Sequence, residues 1–333
     1  MPNTTAVRTA QVGAAPLFAG KNAVINGGMD IWQRGTSAAS VAPNTYSPAD
    51  RWYLGMGTTG RTISRQTSSL TGIQYSLRIQ RDSGNSSTLA SYLSYTLESA
   101  DSYRFAGKTI TLSFYARAGA NYSPTSSLLS TTLLSGTGTD QNVQNTWTGS
   151  ATVASGNATL TTSWQRFSFT GTVASSATEL GFYWIASWIG TAGANDWFEV
   201  TGVQLEAGST ATSFQTATGT IQGELAACER YFQREADSQK SIGAGSYYTT
   251  TEAWIPYFLK TTMRVAPTVT FDGTGTVTVY DAGSARTSTA VTTDAISPRV
   301  VEIKATTSST TAGRAAFARI AGSGNFINFS AEL

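Results

Sequence analysis

The sequence predicts an all-β protein with an N-terminal arm, a β-sandwich of the two-sheet or jelly-roll kind, a short linking helix and a smaller C-terminal β-domain. Short runs of alternating apolar and polar residues, separated by Gly, Ser, Asn and Pro clusters, are typical of antiparallel strands. Aromatic residues make up 11% and charged residues 13% of the 333 residues, which suits thin cores between sheets. The expected boundaries are 1–21 for the arm, 22–218 for the sandwich and 219–333 for the helix and second β-domain.

The arm contains isolated apolar side chains at Val12, Leu17 and Phe18 but no sustained apolar period. It therefore has too little apolar surface to fold alone. We expect it to attach the protein to a partner and to become ordered there, with Val12, Leu17 and Phe18 as the anchors. A mobile tail is the alternative.

Strands are clearest where apolar side chains occupy every second position, at residues 73–79, 93–97 and 110–116. Each of these strands should have one buried and one solvated face. In a later strand the apolar positions change parity at Gly202, which predicts a β-bulge. Further strands of the sandwich are expected near residues 163–172, 180–187 and 197–205.

The linking helix is predicted between Thr220 and Gln233. Ile221, Leu225 and Cys228 recur at helical spacing, and Thr220 is a suitable N-cap. After the helix, strands of the second β-domain are expected near residues 254–259, 268–271, 276–280, 299–304, 314–320 and 325–333. The last strand should dock the end of the chain.

Composition excludes several functions. A net charge of +2 without a Lys/Arg block does not indicate a nucleic-acid partner, and no apolar run approaches the length of a membrane span. The chain has no histidine and one cysteine, Cys228. The commonest general base, the usual zinc ligands and the histidine-dependent catalytic triads are therefore absent. We expect a protein that is not an enzyme, has no cofactor, and gains stability by homo-oligomerisation.

Six segments carry a family resemblance: NAVINGGMDIWQRGT at 22–36, SPADRW at 47–52, SWQRFSFTGTV at 163–173, FEVTGVQLEAGSTATSFQ at 198–215, ELAACERYFQ at 224–233 and MRVAPTVTF at 263–271. The first two resemble the opening of bacteriophage virion proteins of the tail-fibre or decoration type, and the last two resemble the junction and second domain of such proteins. The middle two resemble the last strands of jelly rolls like those of carbohydrate-binding modules. The resemblance implies a β-sandwich shared with sugar-binding modules, commonly on trimeric fibres, and a place on the outside of the virion.

The most distinctive of these motifs contain Trp32, Arg34, Asp50, Arg51 and Trp52. These residues could form a binding surface. The favoured interpretation is structural, with the two tryptophans packed at one edge of the sandwich and the aspartate paired with one of the arginines.

Three aromatic residues are candidates for contact with a saccharide, because exposed aromatic planes stack on sugar rings. Trp147 lies in a Gly/Thr/Asn-rich stretch that reads as a loop, Tyr183 faces away from the predicted core, and Trp188 ends the same strand. Packing in the core or between subunits is the alternative for all three.

The carboxylates do not indicate catalysis. Asp196 and Glu199 fall on opposite faces of a strand, so they cannot face each other as the two acids of a glycosidase must. A structural calcium ion would need oxygen ligands from a bend, for which Asn26, Asp30 and Asp196 are conceivable donors. No other metal site is expected.

Together these observations predict a structural component of the exterior of a bacteriophage particle, a fibre or decoration protein that is attached by its arm and is oligomeric, with a trimer favoured. Its partners would be other virion proteins. The alternative is a receptor-binding protein that recognises host surface polysaccharide through the sandwich. A depolymerase is a third hypothesis, which requires a carboxylate pair that the sequence does not reveal.

Overall fold

The computed structural model describes residues 20–57, 59–145, 147–236, 238–271 and 275–333. The predicted attachment anchors Val12, Leu17 and Phe18 lie outside the described residues. Within the described part, the strands of the first domain are β1 Ser37–Ala38, β2 Thr45–Tyr46, β3 Tyr53–Met56, β4 Arg61–Thr67, β5 Tyr75–Arg81, β6 Ser91–Thr96, β7 Thr109–Ala118, β8 Leu128–Gly136, β9 Ala151–Thr159, β10 Gln165–Thr172, β11 Glu179–Ala186 and β12 Trp197–Ala207. A short helix, α1, spans Ser99–Ser102.

These strands form two antiparallel sheets that pack face to face. The first sheet has the order β1-β4-β5-β12-β7-β10 and the second the order β2-β3-β6-β11-β8-β9. This arrangement is a jelly-roll β-sandwich, which confirms the predicted fold class. Its core contains interlocking aromatic rings: Trp184 lies 4.8 Å from Phe114 of the opposite sheet, 5.3 Å from Phe182 and 5.7 Å from Trp52, between ring centroids.

The alternation in the sequence predicted the faces of the central strands correctly. In β7 the apolar side chains from Ile110 to Ala116 are fully buried at every second position. The predicted bulge is also present, because the register between β12 and β7 shifts between Thr201 and Gln204. Gly202 there has a φ of 58°, which glycine adopts without a steric penalty.

The linking helix, α2, is shorter than predicted and spans Ile221–Glu229. The side chain of Thr220 accepts a hydrogen bond from the backbone of Gly223, as an N-cap does. The predicted apolar stripe is wrong at two of its three positions, because Ile221 is 58% and Leu225 37% exposed. Among the described residues, no helix is long and apolar enough to cross a bilayer.

Hydrogen bonds to a buried carboxylate, rather than apolar packing of this stripe, orient α2 on the sandwich. Glu224 is buried and accepts hydrogen bonds from the backbone N–H of Asn26 at 2.7 Å, and from the backbone and hydroxyl of Thr218 at 2.8 and 2.9 Å. Cys228 lies on the same buried side. A buried carboxylate with several donors is stable, whereas an unpaired one is not.

The second domain consists of two further antiparallel sheets. The third sheet has the order β13-β22-β16 and the fourth the order β18-β17-β21-β14-β15-β20-β19. Their buried side chains form a core separate from that of the sandwich. The strands are β13 Phe232–Glu235, β14 Ser241–Tyr247, β15 Glu252–Phe258, β16 Thr268–Phe271, β17 Val277–Asp281, β18 Ser284–Thr287, β19 Ala290–Ile296, β20 Val300–Thr306, β21 Ala315–Ile320 and β22 Ile327–Ser330.

Strands β15, β16, β17, β20, β21 and β22 correspond to the six segments predicted for this domain. Four others were missed. The predicted helix extended to Gln233 and therefore included the start of β13, while β14, β18 and β19 are rich in Gly, Ser, Thr and Ala. Short strands of small polar residues carry too little apolar contrast to be recognised from alternation.

Buried arginines anchor the loops at one end of the sandwich. Arg81 and Asp196 are both fully buried and form a salt bridge of 2.9 Å. The guanidinium of Arg81 also donates to loop carbonyls at Asn85, Ser87 and Ile189, at 2.8 to 3.1 Å. A buried charge must be paired and hydrogen-bonded to persist in a low-dielectric interior.

Candidate functional site

The motif residues of the first domain form its junction with the second, by which we mean the contacts between residues 22–218 and 219–333. Asp50 is fully buried. It accepts two hydrogen bonds from Gln33, at 3.1 and 2.5 Å, and lies 3.6 Å from Arg34. Burial, which outweighs the attraction of Arg34, raises the pKa of Asp50 to about 6. The guanidinium of Arg34 stacks 3.5 Å from the ring centroid of Phe232 in the second domain.

Arg51 connects the two domains most directly. It is 2% exposed, donates to Glu332 at 2.5 Å and to the carbonyl of Thr96 at 2.8 Å, and stacks 3.4 Å from the ring centroid of Tyr231. Glu332 also accepts a hydrogen bond from Arg34 at 3.1 Å. The arginine that pairs with Asp50 is therefore Arg34, while Arg51 pairs with the end of the chain.

The chain terminus is docked, as the sequence predicted, but onto the first domain. The carbonyl of Leu333 accepts a hydrogen bond from the hydroxyl of Tyr46 at 2.8 Å. On the opposite side of the motif, Trp52 is fully buried and its indole N–H donates to the carbonyl of Asn26 at 3.2 Å. Trp32 is also buried and donates to Met29 at 2.6 Å. The motif thus builds the core edge and the junction, which supports its structural interpretation.

Two of the three predicted sugar-contacting aromatics are buried. Trp188 is 2% exposed and its indole N–H donates to the hydroxyl of Ser91 at 2.9 Å, beside the buried arginines. Trp147 does lie in a loop, but it is 6% exposed and its indole N–H donates to the carbonyl of Gln141 at 2.8 Å. Both rings are therefore packed, which is the alternative considered for them, and each indole N–H donates to another residue of the protein. Saccharide contact at these positions stays a prediction.

Trp147 nevertheless packs on the outer face of the second sheet. A Cβ atom added at Gly181 of β11 would lie 3.1 Å from the ring of Trp147, and one at Gly136 of β8 equally close. The two glycines thus leave room for the indole to lie against the outer face of the second sheet. Tyr183 stands on that same face, two residues after Gly181.

Tyr183 belongs to a line of side chains that crosses the second sheet. Directly opposed residues of neighbouring antiparallel strands share a face, and here they alternate with core residues such as Leu93 and Phe182, both fully buried. We call this line the tyrosine row. In strand order it consists of Tyr46, Tyr53, Ser94, Tyr183, Thr132 and Ser155.

The tyrosine row is an uncharged surface of aromatic rings and hydroxyl groups. Tyr53, Tyr92 and Tyr183 are partly exposed. Tyr53 and Tyr183 stand on either side of β6, which places their Cα atoms about 10 Å apart, or two strand spacings. Tyr92, in the next line of the same face, contacts Tyr183 edge-on at 6.0 Å between centroids. Sequence parity identified Tyr183, but its alignment with Tyr53 depends on strand order.

The predicted calcium donors do not converge. Asp196 is held by Arg81, whereas the side chain of Asn26 bonds the backbone of Asp30 and Ile31 within its own turn. The carbonyl of Gly27, next to Asn26, accepts a hydrogen bond from the backbone of Val203 in β12, whereas Asp196 immediately precedes that strand. The seven residues from Asp196 to Val203 correspond to a separation of about 20 Å. Among the described residues, no group of three His, Cys, Asp or Glu side chains could hold a metal ion.

Asp30 lines a cavity of about 380 Å³ together with Ile73, Phe214, Ile221 and Glu224. The carboxylate of Asp30 accepts no hydrogen bond from the described residues, whereas that of Glu224 accepts the three hydrogen bonds described above. Burial, and secondarily the charge of Glu224, raises the pKa of Asp30 to about 6. The native state therefore binds this proton more tightly than the unfolded chain does.

Because the folded-state pKa of Asp30 is raised, its contribution to stability is greatest at acid pH and declines as pH rises towards and through about 6. We expect Asp30→Asn to raise the melting temperature at about pH 8 and to leave it unchanged at about pH 4. Thermal unfolding at the two pH values measures this. Asp294→Asn, on an exposed carboxylate, is the control. An equal shift at both pH values would contradict the assignment.

Comparison with known proteins finds no matching family model and no matching curated relative. Three matching solved structures each cover 56% of this chain. One, titled "CBM4 structure and function", has 20% identity, a TM-score of 0.35 and full coverage of that chain. The enzymatically active domain of tailspike protein 4 of bacteriophage CBA120 has 13% identity, a TM-score of 0.36 and 21% coverage. TmCBM61, in complex with β-1,4-galactotriose, has 12% identity, a TM-score of 0.34 and 99% coverage.

Likeness of this degree assigns no ligand to this chain, since one fold hosts many functions. The described residues form a jelly-roll sandwich and a second pair of antiparallel sheets with a core of its own. On the outer face of the second sheet of the sandwich, the tyrosine row brings partly exposed, uncharged aromatic rings together.

Proposed function

We propose that this chain is a non-catalytic protein of a bacteriophage exterior whose sandwich binds a host surface glycan along the tyrosine row. The observation that carries the glycan part is the row itself. Tyr53 and Tyr183 of the row, with Tyr92 beside them, supply partly exposed rings, and Thr132 supplies a hydroxyl group next to Tyr183. Aromatic rings pack on the apolar faces of sugars, while hydroxyl groups exchange hydrogen bonds with sugar hydroxyls.

The position of the row supports a rigid binding surface. Its members stand on strands β3, β6, β11 and β8, whose other faces form the core. Sites on strands are held more accurately than sites on loops, and a preorganised surface loses less entropy on binding. The absence of charge from the row favours a neutral stretch of glycan.

The virion location rests on the sequence motifs at residues 22–36 and 47–52, which resemble phage exterior proteins. In such a protein the second domain, clamped to the sandwich by Arg51 and Glu332, would hold the glycan-binding face in a fixed orientation. The arm at residues 1–21 would supply attachment. Oligomerisation, as a trimer, belongs to the same proposal.

Tyr183→Ala is expected to weaken binding of host surface glycan about tenfold, equivalent to about 1.4 kcal/mol, because it removes one of the partly exposed rings of the row. Tyr53→Ala should act in the same direction. Titration of purified host polysaccharide followed by calorimetry measures the effect. Tyr248→Ala, on a tyrosine of the second domain that is 66% exposed, is the matched control. Unchanged binding by both row variants would refute the site.

The virion location has a separate test. An antibody raised against the second domain, carried on gold particles, should label the outside of intact phage particles in electron micrographs. Particles that are never labelled, although the same antibody detects the protein in infected cells, would contradict this part of the proposal and leave glycan binding untouched.

A further inference from the structure

The outer face of the first sheet differs in charge from the tyrosine row on the opposite side of the sandwich. Ser64, Arg78, Glu199 and Arg117 oppose one another across β4, β5, β12 and β7. Directly opposed residues share a face. Since Ile79 and Phe198, the neighbours of this line in sequence, are fully buried, its side chains point outward.

Aromatic rings hold the two guanidinium groups of this line in place. Arg78 lies 3.9 Å from the ring centroid of Trp197, and Arg117 lies 4.7 Å from that of Trp164. Stacking keeps the guanidinium planes on the surface and reduces the side-chain entropy that a ligand would otherwise have to remove.

A single carboxylate accepts hydrogen bonds from both Arg78 and Arg117. Glu199 is fully buried and accepts hydrogen bonds from Arg78 at 2.8 and 2.5 Å, from Arg117 at 3.0 Å and from the hydroxyl of Ser76 at 3.0 Å. Two guanidinium groups thus share one negative charge. The next line of the same face adds Arg166, opposite Tyr115 of β7.

We call these side chains the arginine face: Arg78, Arg117, Arg166, Glu199, Trp164, Trp197 and Tyr115. It carries an excess of two positive charges. Further along the sheet, Lys21 and Glu206 form an ion pair at 3.4 Å and do not change this balance. An uncompensated positive surface attracts anionic ligands.

Two hydrogen-bond donors on the arginine face have no acceptor. The indole N–H of Trp164 and the Nε–H of Arg166 are both inaccessible to solvent and make no hydrogen bond. The Nη2 of Arg166, by contrast, donates to Ser113 at 3.1 Å and to the carbonyl of Thr212. Buried donors without partners are rare and need an explanation such as a missing ligand or water.

We propose that the arginine face binds an acidic saccharide, with a sugar carboxylate held by Arg117 beside the ring of Trp164. A carboxylate accepts two parallel hydrogen bonds from a guanidinium, and such charge-assisted bonds are about twice as strong as neutral ones. The two donors without acceptors adjoin this site, and a shift of the side chains above them on binding would let the ligand carboxylate reach them. The aromatic planes interleaved with the arginines favour a saccharide over an acidic peptide, because they offer packing surface for a sugar ring.

The test uses an oligosaccharide of alternating glucuronate and N-acetylglucosamine, and the same oligosaccharide after its carboxylates have been reduced to alcohols. Calorimetry on the full chain should show binding of the charged form and at least about tenfold weaker binding of the reduced form. Equal affinity for the two forms overturns the proposal. So does tighter binding of poly-glutamate than of the charged oligosaccharide.

Arg117→Gln should weaken binding of the charged form about tenfold, whereas Arg299→Gln, which removes the same charge from an exposed position of the second domain, should leave it unchanged. Because Arg117→Gln leaves Glu199 with fewer donors, a second variant changes Arg117→Gln and Glu199→Gln together and avoids an underpaired buried charge. Full affinity in a folded Arg117→Gln single variant overturns the proposal. Because the double variant keeps the excess of two positive charges, a loss of affinity there as well assigns the carboxylate to Arg117 rather than to net charge.

The two sugar-binding faces can be distinguished by the same titration. Tyr183→Ala should leave binding of the charged oligosaccharide unchanged, because the tyrosine row lies on the opposite face of the sandwich. If Tyr183→Ala abolishes this binding and Arg117→Gln does not, the ligand occupies the tyrosine row. That outcome overturns the acidic site on the arginine face and supports the proposed function.

Discussion

Replacing Arg81 with methionine is expected to lower the free energy of unfolding of the sandwich by about 4 kcal/mol. The change leaves the carboxylate of Asp196 buried without its counter-charge and leaves the loop carbonyls at Asn85, Ser87 and Ile189 without donors. Removal of one partner of a buried ion pair costs more than the pair contributes, because the remaining charge stays desolvated. Urea unfolding followed by tryptophan fluorescence measures the loss.

Lys304→Ala is the control for this prediction. Lys304 pairs with Asp294 at 3.4 Å, where the carboxylate side chain is 47% exposed, and we expect a loss of less than about 1 kcal/mol. A loss of that small size for Arg81→Met would mean that the carboxylate and the loop carbonyls regain water at no cost, contrary to the packing around them.

Arg51→Met is expected to cost about 3 kcal/mol and to weaken the junction between the domains. It removes the contacts of the guanidinium with Glu332, the carbonyl of Thr96 and the ring of Tyr231. The loss should fall at the lower end of the range for buried pairs, because Arg34 still faces Glu332 at 3.1 Å. Urea unfolding monitored separately for each domain should show the two transitions moving apart.

The double variant Arg51→Met with Glu332→Gln tests the cause. If the ion pair causes the effect, the double variant should lose less stability than the sum of the losses of the two single variants. The free-energy effects of substitutions at contacting residues are not additive. Strict additivity would indicate that Arg51 acts through its packing on Tyr231 rather than through its charge.

Local pattern predicted much of the sandwich because its strands bury one face. The alternation from Ile110 to Ala116 identified β7, and the change of parity at Gly202 identified the bulge. The same reasoning missed weakly apolar strands such as β14, and it placed Ile221 and Leu225 on the buried side of α2. A tertiary hydrogen-bond network around Glu224 turns that helix instead, and no local spacing encodes that network.

The candidate binding surfaces could likewise be predicted only in part from local sequence. Parity showed that Tyr183 faces away from Trp184 and hence from the core, a property of one strand. The tyrosine row and the arginine face each require several strands in register, and register is a non-local property. Trp188 shows the opposite case. Its position after the end of β11 indicated exposure, but it is buried beside the loops whose carbonyls bind Arg81.

By itself the sequence determined the all-β class and the faces of the central strands, because composition and period-two alternation are local. Only the tertiary structure decided that Arg34 pairs with Asp50, that Arg51 holds Glu332 near the chain end, and that the tyrosine row and the arginine face lie on opposite sides of the sandwich. These outcomes depend on which distant strands become neighbours, which is settled by burying one shared core rather than by any single segment.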